Sequence, residues 1–336
     1  LTFNAQDFGA WGNGINDDTG AIQAAIDAAN AAVMSGVNGI YAGSGIYSGT
    51  TPTVYLPSGL YKVSSALTSI NYLRFAGDNS ILAANSTGFT MLNAVKYDTL
   101  VQGLSFRGGN RAIAVATGNS DTATIEIVNC EFVEQLTSGV SVDGSSASTL
   151  LVIDRCKFYE NTNGAYALYA LSGDHLVVRS CWATISNYGF YIAGTASHLT
   201  IDDLMGVPVG QTGAWVYTAG TASVRARNSR FGGEDGGKTI VEGHSAPDLV
   251  YPENATSLII ENCETYAASI YALKLYDVPN LVRMDGNTGL IDTDGVYYDS
   301  AIPAATIRAL GSLCYVDIRD FEPTNMRIAE GLHGST

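Results

Sequence analysis

One stretch of this chain concentrates the residue types that move protons: Glu234, Asp235, Lys238, Glu242, His244, Asp248, Tyr251 and Glu253. The 336-residue sequence holds only 4 histidines, so one that stands among carboxylates marks the stretch for acid–base work. Two carboxylates can serve a glycosidic bond as proton donor and as base or nucleophile. Glu234, Asp235 and Glu242 are accordingly the primary catalytic group, with His244 beside them, although a solvated acidic loop has the same composition. A competing pair is Glu134 and Glu160, each four residues past an anchor of the repeat described below. One rung apart, they would be separated by about 5 Å. Carboxyl groups about 5–5.5 Å apart suit retaining hydrolysis and about 6.5–9.5 Å inverting hydrolysis. Like charges that close also raise one pKa, as a general acid requires, yet stacked turn acids are common surface decoration. Glu160 and Glu234 fall three rungs apart, roughly 14 Å, too far to form one pair unless the intervening loop folds back.

Hydrolysis needs only the abundant carboxylates and is the preferred chemistry. β-Elimination must take the α-proton of a uronate and neutralise its carboxylate with Arg, Lys or Ca²⁺. Lys238, His244 and Tyr251 could serve such a lyase, with Arg225, Arg227 and Arg230 near in sequence, but a net charge of −15 repels a polyuronate. Lyase is therefore the second reading, and a non-catalytic glycan-binding or structural rod the third.

The elements that position these residues come from a repeat. Anchored on Leu104, Cys130, Cys156, Cys181, Leu204, Ser229 and Cys263, the segments recur at steps of 26, 26, 25, 23, 25 and 34 residues. Positions −5 and −3 are apolar, as in Ile125/Ile127, Leu151/Ile153 and Leu258/Ile260, so they share one face of a strand. A polar bend residue follows (Asn129, Asn228, Asn262), the anchor and the residue at +2 point inward, and a second strand starts after Gly139, Gly164, Gly189, Gly213 or Gly237. Two-strand rungs at a period near 25 predict an all-β protein, a single parallel β-helix (solenoid) of about ten rungs. The long final step adds about nine residues in the acidic stretch, and loops on a rigid scaffold are where chemistry collects.

Asp17-Asp18-Thr19 before an apolar-periodic run predicts an N-capped helix over about 18–34 that covers the open first rung. The expected organisation is an N-terminal cap at 1–51, with a Gly/Ser-rich loop after the helix, the β-helix at 52–290, and an irregular end at 291–336. Within that end, Val316-Asp-Ile-Arg-Asp-Phe321 has the pattern of a last rung. The ends, Leu1 and Leu332-His-Gly-Ser-Thr336, suit a piece of a longer protein from which any targeting segment is already absent.

Two outward columns follow from the repeat. Tyr166, Tyr191 and Trp215 each stand two positions after a rung glycine, which predicts an aromatic stack suited to sugar rings or to a subunit interface. Asp154, Arg179, Asp202, Arg227 and Glu261 alternate in sign just before the bend and predict a self-neutralised, structural charge ladder. Cys130, Cys156 and Cys181 share a column with Leu204 and Ser229, so they read as small buried hydrophobes. Without zinc-type spacing or an EF-hand loop, no metal site and no cofactor is expected, except Ca²⁺ in the lyase reading.

Composition sets the outer limits. With 32 Asp+Glu against 17 Lys+Arg and a pI near 4.5, nucleic acid and anionic membrane are excluded as expected partners. No apolar run approaches the ~18 residues of a membrane span, so no membrane insertion is expected. Charged residues at 15%, with 37 Gly and 19 Tyr, suit a turn-rich all-β chain.

Asp7-Phe8-Gly9-Ala10-x-Gly12-Asn13-Gly14-x-Asn16-Asp17-Asp18-Thr19-x-Ala21-Ile22-Gln23-x-Ala25-Ile26, followed by Tyr55-Leu-Pro57-Ser-Gly59-Leu-Tyr61-Lys-Val63, resembles the opening of pectate-lyase-like right-handed parallel β-helix proteins. With the rungs, the resemblance spans roughly residues 5–290. The family includes pectate lyases, polygalacturonase-like hydrolases and phage tailspikes that cut capsule or lipopolysaccharide chains. Ser229-Arg-Phe-Gly-Gly-Glu234-Asp-Gly-Gly237 is similar to segments of tailspike depolymerases. The resemblance implies an endo-acting depolymerase of a bacterial capsule, exopolysaccharide or O-antigen. It also implies an extracellular place, secreted or on a virion tail, and a homotrimer. Tyr166, Tyr191, Trp215, Lys238 and Tyr251 are the candidate substrate-binding residues.

Overall fold

The computed structural model describes residues 1–34, 51–68, 70, 72–96, 98–116, 123–143, 149–159, 165–185, 189–193, 198–208, 214–219, 223–232, 239–244, 257–266, 273–275, 281–285, 288–289, 296–298 and 315–319. The chain is a single right-handed parallel β-helix with, among the described residues, one α-helix, near the N-terminus. Its rungs are built from three strands rather than the expected two. Thr149–Asp154 bends into Lys157–Tyr159, and the chain then turns into Tyr166–Ala170. His175–Arg179, Trp182–Ile185 and Phe190–Ile192 repeat the path one rung on. The first two strand types form one 21-stranded sheet, and the third forms a separate 9-stranded sheet. Pairing is parallel and in register, for example Asp154 with Arg179, Phe158 with Ala183 and Tyr169 with Tyr191.

The bend that splits the first strand is a single left-handed residue. Asn129, Arg155, Ser180, Asp203, Asn228 and Asn262 all have φ between 50° and 56°. Asn and Asp tolerate this region, whereas other side chains are strained there. The anchor after the bend ties rungs together. The backbone N–H of Cys130 donates to Cys156 Sγ, and that of Cys156 to Cys181 Sγ, each at 3.4 Å; Leu204 N–H donates to Ser229 Oγ at 3.0 Å. Cys130, Cys156, Cys181 and Cys263 are buried free thiols. Burial pushes the Cys156 thiol up, so it stays protonated and inert.

The interior is stacked in the same way. Phe106, Phe132 and Phe158 form a column with ring centroids 5.4 and 4.8 Å apart and planes within 8° and 10°. In the two following rungs that column shrinks to Ala183 and Gly206. The space is filled from the opposite sheet by Trp215, whose indole lies where a Cβ on Gly206 would come within 2.7 Å of Cη2. Trp215 Nε1 donates to the Gly232 carbonyl at 2.8 Å, which satisfies its one polar atom.

At the N-terminus the helix Thr19–Met34 buries Ile22, Ala25, Ile26, Ala29 and Val33 against the first strands and closes the end of the core. The two acids before it divide the work. Asp17 caps, accepting from Thr19 N–H at 3.0 Å and from the Ser64 hydroxyl. Asp18 is fully buried and accepts instead from the backbone of Trp11 at 2.6 Å and Gly12 at 3.2 Å. That turn needs glycine: Gly12 has φ 60°, and a Cβ there would meet the Tyr61 ring at 2.9 Å. No helix among the described residues is long and apolar enough to cross a membrane.

Phe132→Ala leaves a cavity between two stacked rings and should destabilise by about 3–5 kcal/mol in urea melts. Ser180→Asn should stabilise by roughly 0.5–1 kcal/mol, because Asn tolerates the left-handed bend better. The Ser64 and Thr19 hydrogen bonds hold the Asp17 carboxyl below its ordinary 3.8. A depressed folded-state pKa adds stability above the unfolded value and loses it as pH falls through the folded one. Asp17→Asn should therefore lower the melting temperature at pH 7, and the difference should shrink as pH falls below 3.8 through the depressed folded-state value.

Candidate functional site

One position of the 9-stranded sheet can be followed by register across its rungs; it is half-buried at Tyr169, Tyr191 and Tyr217 and buried at Ala114 and Ser141. Backbone register aligns Ala114, Ser141, Tyr169, Tyr191, Tyr217, Glu242, Lys274 and Tyr297. Their inward neighbours Ile113, Val140, Leu168, Phe190 and Val216 are fully buried, which fixes the alternation. Three phenols stack in sequence. Tyr169 and Tyr191 have centroids 4.9 Å apart at 14°, and Tyr191 and Tyr217 lie 4.8 Å apart at 7°. Tyr166 leans on both Tyr169 and Tyr191 at 5.3 Å.

Because the rings cover one another's faces, the ladder presents ring edges and hydroxyls to a ligand rather than flat faces. Burial, followed by the neighbouring phenols, pushes Tyr166 and Tyr191 above the ordinary tyrosine value. Both therefore stay protonated at neutral pH and offer hydrogen-bond donors. At the Tyr169 end, the Arg111 guanidinium carbon lies 5.8 Å from the ring centroid. Arg111 is paired with Asp143 and donates to Ser141 Oγ at 3.3 Å, and its buried Nε has no hydrogen-bond partner.

Only part of the expected site falls on this column. Tyr191 is in it and Tyr166 beside it, but Trp215 belongs to the core and is 1% exposed. The rung glycines are a poor guide to register, since the column residues Ser141, Tyr169, Tyr191 and Tyr217 fall 2, 5, 2 and 4 positions after Gly139, Gly164, Gly189 and Gly213. The strand register pairs Tyr191 with Tyr169 and Tyr217 instead. Glu242 follows Tyr217 in register, and His244 pairs with Ala219 on the same strand, Thr239–His244. Glu134 is exposed, with φ 58°, on the turn that leads to Ser138–Val142. Glu160, Glu234, Asp235, Lys238 and Tyr251 lie outside the described residues.

Tyr169, Tyr217, Arg111 and Lys274 were not anticipated. The signal for the tyrosines was an apolar–Tyr–small or apolar pattern: Leu168-Tyr169-Ala170, Phe190-Tyr191-Ile192 and Val216-Tyr217-Thr218. The charge ladder is as expected, with Arg179 3.3 Å from Asp154 and Arg227 2.8 Å from Asp202. A second cluster of donor atoms, Asp174, His175 and His198, stands where the strands His175–Arg179 and His198–Asp202 begin.

Known proteins agree with this architecture. Mannuronan C5-epimerase AlgE6 of Azotobacter vinelandii is 41% identical over 95 residues, 28% of this chain and 9% of that protein. Alginate lyase 7 of the same organism is 38% identical over 95 residues, again 28% of this chain and 9% of that protein. The matched segment is thus a small part of either relative. The crystal structure of PfbA, a surface adhesin of Streptococcus pneumoniae, superposes with a TM-score of 0.53 at 12% identity. It covers 97% of this chain and 90% of that one, a likeness of fold alone. The family profile described as rhamnogalacturonase A/epimerase, pectate lyase-like, matches residues 2–223, and the chain belongs to that family.

Proposed function

We propose that this protein modifies an acidic polysaccharide outside the cell, binding it along Tyr169, Tyr191 and Tyr217 and reacting at the successive rungs of Glu242 and Lys274. The observation that carries the reading is the unbroken register of phenols, carboxylate and ammonium in one column. A row of protonated phenols suits a polymer rich in acceptors, and uronate carboxylates are the strongest acceptors a glycan offers.

The chemistry that fits is removal of the C5 proton of a uronate. A base takes the proton while a cation stabilises the carboxylate as it becomes enolate-like. Glu242 is the base and Lys274 the cation in this reading. Reprotonation at C5 from the opposite face completes an epimerisation. Alternatively the electron pair forms the C4–C5 double bond, expels the C4 oxygen, and that oxygen takes a proton as the chain is cut. Relatives named for C5 epimerisation of mannuronan and for lysis of alginate support this chemistry.

Hydrolysis, preferred from the sequence, needs a second carboxylate within about 5–9.5 Å. Tyr217 and Lys274, not acids, flank Glu242 in the register, so a hydrolase would have to draw Glu234 or Asp235 to it. The expected surroundings are the medium, a cell surface or a virion tail, where such polymers occur. Sedimentation of the purified chain tests the homotrimer that the tailspike resemblance implies.

Incubation with polymannuronate, alginate and bacterial capsule preparations should yield either unsaturated, ultraviolet-absorbing ends or solvent deuterium at C5. New reducing ends with neither would overturn this chemistry in favour of hydrolysis, and glycan retained without change would make the protein a binding rod. Glu242→Gln should lower kcat by about 10²–10⁴-fold. Tyr191→Ala should raise KM about tenfold with a smaller effect on kcat, because it removes binding made equally in ground and transition states.

A further inference from the structure

The β-helix brings two of the four histidines onto neighbouring rungs. His175 opens the strand His175–Arg179, His198 opens His198–Asp202, and the two are direct register partners. Their rings stack with centroids 5.0 Å apart at 16°. Asp174 lies beside both, with Oδ2 3.1 Å from His175 Nδ1 and Oδ1 3.8 Å from His198 Nδ1. One possible ligand atom from each residue lies within 4.8 Å of the others. We propose that Asp174, His175 and His198 form a binding site for a divalent transition metal ion of the zinc, nickel or copper class.

Three features support a built site. The first is a fixed backbone: Asp174 N–H donates to the Thr149 carbonyl at 3.1 Å, and His198 N–H donates to the Asp174 carbonyl at 3.1 Å. Backbone hydrogen bonds thus hold the two rungs together beneath the three side chains. The second is the tautomer. His198 Nδ1 lies 3.2 Å from the Asp174 carbonyl oxygen, which can only accept, so Nδ1 carries the proton and Nε2 keeps its lone pair. A metal-binding imidazole commonly donates its other N–H to a backbone carbonyl or a carboxylate in this way. The third is access: the side chains of Asp174, His175 and His198 are 45%, 59% and 55% exposed, so an ion can enter and keep open positions for water or a ligand.

The donor set decides the class of ion. Two imidazoles and one carboxylate match zinc, nickel and copper, whereas calcium and magnesium select all-oxygen sites. The net charge of −15 further favours a cation at any exposed site. Sequence spacing hid the site, because the two histidines are separated by one rung rather than by the few residues of a zinc motif.

The test is calorimetric titration of the tag-free, chelator-dialysed chain with ZnCl₂, CaCl₂ and MgCl₂. Saturable binding of one Zn²⁺ per chain is expected, with no comparable heat from Ca²⁺ or Mg²⁺. His175→Ala and His198→Ala should each weaken zinc binding at least about tenfold, and Asp174→Asn by about tenfold. Absence of saturable zinc binding, or undiminished affinity in the His175→Ala/His198→Ala double variant, would overturn the proposal. Copper EPR of the unmodified chain gives a reading that needs no variant to fold. Hyperfine structure from two imidazole nitrogens is expected, and a spectrum with one or none rules the site out.

Discussion

Parallel stacking sets each residue about 4.8 Å from its counterpart in the next rung, so a side chain must suit a near copy of its own environment above and below. Different side chains meet this demand differently. Phe106, Phe132 and Phe158 meet it by ring stacking, and the Cys130–Cys156–Cys181 column by passing backbone hydrogen bonds from rung to rung. Charges cannot repeat so simply, and the ladder from Asp154 to Arg227 alternates in sign. Where a column changes size, as at Ala183 and Gly206, another element must supply volume, and Trp215 does so.

The same constraint shapes the outer face of the 9-stranded sheet. Tyrosines can repeat because they are neutral, and their packing keeps them so by pushing Tyr166 and Tyr191 up. The repetition occupies the ring faces and leaves a line of hydroxyls. Beyond Tyr217 the column changes character, first to Glu242 and then to Lys274. In the proposed function, a polymer following the helix axis would cross from the phenol strip to two successive rungs of opposite charge. That break in uniformity is where the proposed reaction is located, with the proposed base and cation at adjacent register positions.

The helix Thr19–Met34 and the turn held by Asp18 cover the core at the N-terminal end of the stack. An uncovered core end invites association, and a helix packed across it removes the exposed edge. The buried Asp18 carboxylate is tolerated because two backbone N–H groups meet it, and Asp17 is left to cap the helix.

Much of the fold was legible in the sequence because its physical cause is local and periodic. Apolar pairs such as Leu151/Ile153, bend residues such as Asn129 and Asn228, and the inward cysteines recur at nearly constant steps, and each behaves as its spacing implies. The site was less legible. Counting from the glycines suggested Trp215 in place of Tyr217 and gave no hint of Tyr169, since the spacing from glycine to column residue varies from rung to rung while strand register does not. Local periodicity thus determined the β-helix, its inward columns and its charge ladder. Which residues from different rungs share a face, including the Tyr169–Tyr191–Tyr217 strip, its continuation into Glu242 and Lys274, and the pairing of His175 with His198, was decided only by the register of the closed rungs, because hydrogen bonds between strands rather than distance along the chain set those neighbours.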